Sequence, residues 1–192
     1  RLFTFLKKLK IIYFVHGFRF TSITNPIKAL FFKTIEKVLS LKTDIIITIN
    51  NEDYNYARSN LLKKKQCYKI NGVGLDLSNK HFKKRIIHKK EIKKILVINQ
   101  KIKIECFGYG NKNKFNSIKL KKKLNNISFN NFDVDLENKI KKYDILLHLS
   151  KREGLPVSVM QCLSVGLPII CYNIRGNNDL IKNKFNGFFV KS

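Results

Sequence analysis

Long uninterrupted apolar runs are missing from this chain. The longest, such as Ile11–Val15 and Asp144–Leu149, are broken or bounded by Lys, Asp or His. No window therefore reaches the roughly 18 apolar residues that a membrane-spanning helix needs. Near the start, Lys7, Lys8 and Lys10 interrupt any signal-peptide core, so no export signal is read. The sequence opens at Arg1 without a Met, which is expected of a processed chain or a fragment. Cysteine is sparse: Cys67, Cys106, Cys162 and Cys171 form no C-x-x-C pair and lie in or beside apolar runs, as small buried hydrophobes of a reducing compartment do. A disulfide framework or a zinc site is the lesser reading. His16, His81, His88 and His148 show no metal-ligand spacing either, and His148 reads as a strand residue facing a neighbour. Acidic residues are few, 13 Asp plus Glu against 39 Lys plus Arg, for a formal net charge of +26. Only six of the basic residues are Arg, whereas Asn occurs 21 times. Lys and Asn together are what AT-rich coding DNA produces whatever the protein does. A nucleic-acid reader would be expected to carry more of the bidentate Arg that suits phosphates and guanines. The charge is thus a background field that attracts polyanions, and no specific nucleic-acid partner is expected. No internal repeat is present.

What the chain does have is apolar material in quantity: 44% hydrophobic residues, with 15 Phe and 7 Tyr, enough for a packed core and too much for a disordered basic tail. Short apolar runs alternate with helix-like stretches, which argues for β-α units and a parallel sheet, an α/β protein. The expected strands are Ile11–Val15, Ile45–Ile49, Gln66–Ile70, Ile102–Phe107, Ile127–Phe129, Asp144–Leu149 and Leu167–Tyr172. Pro26 can open a helix running to about Leu41, with Leu30, Phe31, Ile35, Val38 and Leu39 at helical spacing. Asn51, followed by Glu52 and Asp53, reads as the N-cap and acidic first turn of a helix through Leu62. Two more helices are expected at Asn116–Leu124 and Leu136–Lys142. Lys80–Lys94 holds eight Lys or Arg against one Glu after Asn71-Gly72-Val73-Gly74, and reads as a basic linker rather than a membrane or nucleic-acid patch. The expected organisation is a partial N-terminal domain over residues 1–74, a linker over 75–94 and a C-terminal domain over 95–192.

The segment Ser150–Gly176 carries the chemistry. It follows an expected strand, turns through Glu153-Gly154-Leu155 and places Pro156 as the first residue of a helix to about Val165. Gly166 suits the left-handed position after that helix, and Pro168 stops its continuation. The loop then lies at the carboxyl end of a strand, where ligands bind in open α/β sheets, and the helix N-terminus suits a diphosphate. Glu153 in the loop and Gln161 on the helix can approach one ligand from different sides.

This segment resembles the donor-binding motif of the retaining glycosyltransferases of family 4, the glycosyltransferase group 1 domain. The family pattern E-x7-E in the setting E-G-x-P is matched by Glu153-Gly154-Leu155-Pro156, with Gln161 at the second acidic position. His16-Gly17-Phe18 with Phe20 resembles the H-G-F-H-F turn of capsule and exopolysaccharide members. Thr43 to Tyr54 is similar to their T-D-x-x-I-T-I-N-E-E-D-Y stretch, and Asn71 to Asp76 to their P-G-V-G-V-D segment. Ile174 to Ile181 and Asn186-Gly187-Phe188 complete the likeness. The segment with a basic pair for the diphosphate is not recognisable between Lys89 and Lys101. Ile95 to Gln100 reads as a remnant before the strand of Lys101–Gly110. Most of the first domain before the H-G-F turn and the closing helices after Val190 are also missing, as in a truncated copy.

The resemblance implies Rossmann-like parallel sheets of the GT-B fold, with the first domain incomplete and the second shortened. It implies transfer of a sugar from a nucleotide-diphosphate donor, a UDP-sugar being expected, with retention and without a bound metal or other cofactor. Glu153 would hydrogen-bond hydroxyls of the donor sugar, and the residue at 161 would hold the ribose. The Gly154, Leu155, Pro156 and Val157 backbone would lie by the sugar and diphosphate. His16, with Gly17, would face the donor across the cleft. Gln161 keeps a neutral hydrogen bond but loses the charge-assisted bidentate contact of a Glu. The setting implied is surface polysaccharide or lipopolysaccharide synthesis on a lipid-linked or saccharide acceptor, in the cytoplasm or peripherally at the inner membrane face. The basic field would favour anionic lipid there. Blander roles stand beside these: Glu153 paired with Arg152 or Lys151, Gln161 on a helix surface, His16 capping a strand end, Gly108 and Gly110 serving a turn, and Arg175 punctuating a strand. At the level of the chain, the alternatives are a catalytically inactive fragment of such an enzyme and, last, a basic nucleic-acid-binding protein.

Overall fold

Runs of β-branched residues set the strands. Ile12–Val15 (β1), Ile45–Thr48 (β2) and Cys67–Lys69 (β3) pair in parallel in the order β1-β2-β3, with Ile12 opposite Ile45 and Ile46 opposite Cys67. Parallel neighbours require crossovers, and these are two helices, α1 (Pro26–Ser40) and α2 (Asn51–Asn60). The computed structural model describes residues 10–61, 66–72, 74–75, 102–108, 126–131 and 136–191. The expected linker beyond Leu75, the remnant at 95–100 and the helix expected at 116–124 lie outside the described residues, as does Gly110.

In the second half, Ile104–Phe107 (β4) and Ile127–Asn130 (β5) form a parallel pair. A short helix, Leu136–Lys139 (α3), continues as a 3-10 turn through Ile140–Lys142. Leu146–His148 (β6), Ile169–Tyr172 (β7) and Gly187–Val190 (β8) make a third parallel sheet in the order β6-β7-β8, bridged by α4 (Val157–Ser164) and α5 (Asn177–Leu180). The α/β reading holds throughout the described residues. The strand β8 was not among those expected, because only Phe188, Phe189 and Val190 are apolar there and no periodic pattern surrounds them.

Two apolar clusters hold the halves. Val15, Phe18, Phe20, Ala29, Ile46, Ala57, Leu61 and Cys67 pack together under α2, and Phe18 and Phe20 stack with ring centroids 5.1 Å apart. Val159, Cys162, Val165, Leu167, Ile169, Cys171, Ile140 and Ile181 form the second. Burial suits the cysteines to these places: it pushes the Cys162 thiol up to about 12 and that of Cys171 to about 11, so both stay neutral and unreactive.

Two expectations shift, and the burial of α1 is a finding of its own. The cap of α2 is Asn50, not Asn51; its Oδ1 accepts the Asp53 N–H at 2.8 Å. Pro156 is the cap of α4 rather than its first residue, because its ψ of 119° is still extended. The apolar stripe of α1 is not buried: Leu30, Phe31 and Val38 lie exposed, as does Ile35, and the helix instead buries Ala29 and Ser40 and rests Phe32 on the core. Among the described residues, no helix is long and apolar enough to cross a membrane.

Candidate functional site

Four loops at the carboxyl ends of parallel strands converge. Strand β1 ends at Val15 and gives the His16-Gly17-Phe18 turn, and β2 leads through Asn50 into α2. Strand β6 ends at His148 and gives the Ser150–Pro156 loop, and β7 leads to Arg175-Gly176. Two loops come from each half, so a ligand between them would be held by both.

The Glu153 loop is shaped by close backbone approach. A Cβ on Gly154 would collide with the carbonyl oxygen of His16, so only glycine lets the two loops touch. Gly17 stands on the other side of this seam, where a Cβ would lie 3.4 Å from Gly154 Cα. The sequence-proposed His16, Gly17, Glu153 and Gly154 are thus brought together by the fold. His16 itself is exposed, with its ring 4.8 Å from that of Phe14. Leu155 is half-buried and its Cδ2 abuts Gly72, and Pro156 is buried. Val157 opens α4 on an exposed position, while Gln161 is half-buried one turn further on. No side chain caps α4 and no acid sits in its first turn, which leaves the positive end of the helix to an anion.

Glu153 does not pair with Lys151 or Arg152. Its Oε1 lies 3.3 Å from Nε2 of His148, a buried nitrogen that otherwise lacks a hydrogen-bond partner. This contact holds the Glu153 carboxyl below its ordinary value of 4.5; burial opposes the shift and Ser150 adds to it. His148, read from sequence as a plain strand residue, therefore orients the candidate sugar-binding carboxylate. A histidine five residues before the loop glutamate, at the strand end that feeds the loop, was the signal available.

Arg175 was undecided from sequence and proves central. Its side chain is 2% exposed. Nε donates to the Glu153 carbonyl at 2.8 Å, and Nη1 donates to the carbonyls of Phe18 at 3.0 Å and Phe20 at 2.9 Å and to Asp53 Oδ1 at 2.9 Å. Asp53, read as a first-turn acid, is itself buried and also accepts from Asn50 Nδ2 at 2.7 Å and from the Phe18 N–H at 3.3 Å. Burial pushes the Asp53 carboxyl above its ordinary value of 3.8, while Arg175, Asn50 and Phe18 pull it back. Two lesser links cross the same seam: the Asn51 N–H to Asp179 Oδ1 at 2.8 Å and Arg152 Nη2 to the Phe18 carbonyl at 3.4 Å. Among the described residues no cluster of His, Cys, Asp and Glu is placed to hold a metal ion.

The strands of all three sheets run parallel, and carboxyl-end loops of the first and third face one another across a seam, one of them carrying the E-G-L-P turn into a helix. The glycosyl transferases group 1 model matches residues 61–192, and the chain belongs to that family. It is 28% identical over 219 aligned positions to the UDP-Gal:alpha-D-GlcNAc-diphosphoundecaprenol alpha-1,3-galactosyltransferase of Escherichia coli, covering 94% of this chain and 56% of that protein. The chain spans a little over half the length of the curated relatives it matches. In structure it is similar to Anabaena HepE in complex with UDP, with a TM-score of 0.73 at 12% identity over 98% of this chain and 60% of that one. A glycosyltransferase from Rickettsia africae gives a TM-score of 0.64 at 16% identity, over 94% and 56% of the two chains. These likenesses show the fold, which is that of the GT-B glycosyltransferases, with Rossmann-like parallel sheets.

Proposed function

We propose that this chain holds the donor site of a glycosyltransferase that takes a sugar from a UDP-sugar and passes it, with retention, to a lipid-linked or saccharide acceptor in surface polysaccharide synthesis. The observation that carries the reading is the Glu153 carboxylate, kept ionised beside His148 in a loop that touches the His16-Gly17 turn of the other half. An ionised carboxylate accepts strong hydrogen bonds from sugar hydroxyls. In this reading the diphosphate lies at the open N-terminus of α4 by the Gly154–Val157 backbone, Gln161 reaches the ribose, and His16 faces the sugar from across the seam. The helix dipole and basic side chains take the leaving-group charge, so no bound metal is required. The relative that acts on a diphosphoundecaprenol-linked sugar supports a lipid-linked acceptor. A site at the inner face of the membrane fits that acceptor and the net charge of +26.

Gln161, where the family pattern carries an acid, favours weak donor binding and keeps an inactive chain as the second reading. The test is the melting temperature of the purified chain with millimolar UDP, and separately GDP, at low and raised salt, beside Glu153→Ala and Gln161→Ala. A ligand that binds only the folded state raises the melting temperature with concentration. The expected result is a UDP-dependent rise that persists in raised salt and is reduced in Gln161→Ala, whereas Glu153→Ala, placed at a sugar that UDP lacks, leaves most of it. A stable fold with no rise under any condition would leave the inactive reading standing.

A further inference from the structure

Among the described residues, the group with the most hydrogen bonds across the seam is the Arg175 guanidinium. Arg175 reaches Asp53 across 122 residues of sequence and Phe18 across 157. A buried arginine is retained only with its charge and donors satisfied; here the opposite half supplies the counter-charge and the Nη1 acceptors, and Glu153 of its own half accepts from Nε. Its acceptors are specific in place. Two are carbonyls of Phe18 and Phe20, in the turn that carries His16 and Gly17, and one is the carbonyl of Glu153 itself. Any displacement of the guanidinium would therefore move the two sides of the donor cleft relative to one another. Lysine could not replace it, because one ammonium cannot donate from both Nε and Nη1 positions along a planar fork.

We propose that Arg175 is a positioning residue: anchored on Asp53, it seats the His16-Gly17 turn on the Glu153-Gly154 loop and so sets the geometry of the donor cleft. The consequence for ligand binding rests on the donor-site reading, whereas the seating of one half on the other does not. The carboxylate of Asp53 is the counter-charge that lets the guanidinium stay buried, and Asn50 holds that carboxylate in turn. This chain of contacts runs from the cap of α2 to the loop before α4.

The experiment places spin labels at Lys37→Cys on α1 and Lys182→Cys after α5, in a Cys106→Ser background, and measures their separation by pulsed electron resonance. Arg175→Lys and Asp53→Asn are compared with the parent. Gly166→Ala, far from the seam, controls for lost stability alone. The expected result is one narrow distance distribution in the parent and in Gly166→Ala, and a broad or longer one in both seam variants. UDP affinity, read from the concentration dependence of the melting temperature, should fall about tenfold in those variants. Narrow distributions in both seam variants would overturn the proposal, as would broad ones with undiminished UDP affinity. Loss of the fold in both conservative variants also overturns it, since the pair would then belong to the core and not to a joint. If the parent responds to neither UDP nor GDP, the donor reading fails, and the distance distributions alone decide whether Arg175 seats the halves.

Discussion

Glu153 keeps its charge through a neighbour supplied by its own strand. His148 Nε2 at 3.3 Å favours the carboxylate, so the folded protein binds the Glu153 proton more weakly than the unfolded chain does. The contribution to stability is present above the unfolded value near 4.5 and is lost as pH falls through the lower folded value. Carbon-detected NMR titration of the Glu153 carboxyl should place its midpoint below 4.5, and His148→Leu should move it upward by removing the contact. A midpoint unchanged by His148→Leu would show that the histidine does not set it. Much of this loop was legible in the sequence, because glycine and proline punctuate it and the acid stands between them. Arg175 was not. Its partners Asp53, Phe18 and Phe20 are more than a hundred residues away, and no local pattern distinguishes an arginine that will be buried from one that will be solvated. The same holds for Asp53, whose first-turn position reads as a helix-dipole acid until Arg175 arrives beside it.

Among the elements, α4 ends as its sequence requires. Gly166 has a φ of 77°, its N–H donates to the Leu163 carbonyl at 3.0 Å, and Leu167 N–H donates to Cys162 at 2.9 Å. Together these two bonds satisfy the Cys162 and Leu163 carbonyls in the last turn of the helix. Gly166→Ala forces a side chain into left-handed backbone and should cost about 1–2 kcal/mol of folding stability, measured by urea denaturation, with the UDP response retained. A loss well outside that range would mean that the helix end is held by packing rather than by this turn. Helix α1 teaches the opposite lesson. Its start was readable from Pro26, and the structure adds the cap, Asn25, whose Oδ1 accepts the Ile27 N–H at 3.0 Å. Its apolar periodicity was readable too, but periodicity says that a helix has an apolar face and not which elements cover it. Leu30, Phe31 and Val38 are uncovered among the described residues. Strand β8 escaped notice for a related reason: only Phe188, Phe189 and Val190 are apolar there, and its place is set by pairing with β7.

For the molecule as a whole, the question is how a charge of +26 can coexist with the selective donor site proposed above. The two kinds of binding differ in range. Scattered lysines attract any polyanion by releasing its counterions, and that attraction falls steeply with salt. A pocket built from a helix N-terminus and oriented side chains acts at contact distance, where the Debye length of about 8–10 Å near physiological salt screens little. Binding of a random-sequence DNA duplex, followed by fluorescence polarisation, should therefore weaken by about a thousandfold or more between 50 and 200 mM salt if about six or more phosphates are contacted. The UDP-induced rise in melting temperature should survive the same change largely intact. Duplex affinity that resisted salt and depended on base sequence would reverse the assignment of roles, making the charge a recognition surface. Loss of both signals together would mean that UDP is held only by the general field. With Arg scarce and Lys spread along the chain, the physical expectation is separation of the two: a diffuse basic surface that concentrates anionic partners, and a seam between parallel sheets that selects one of them.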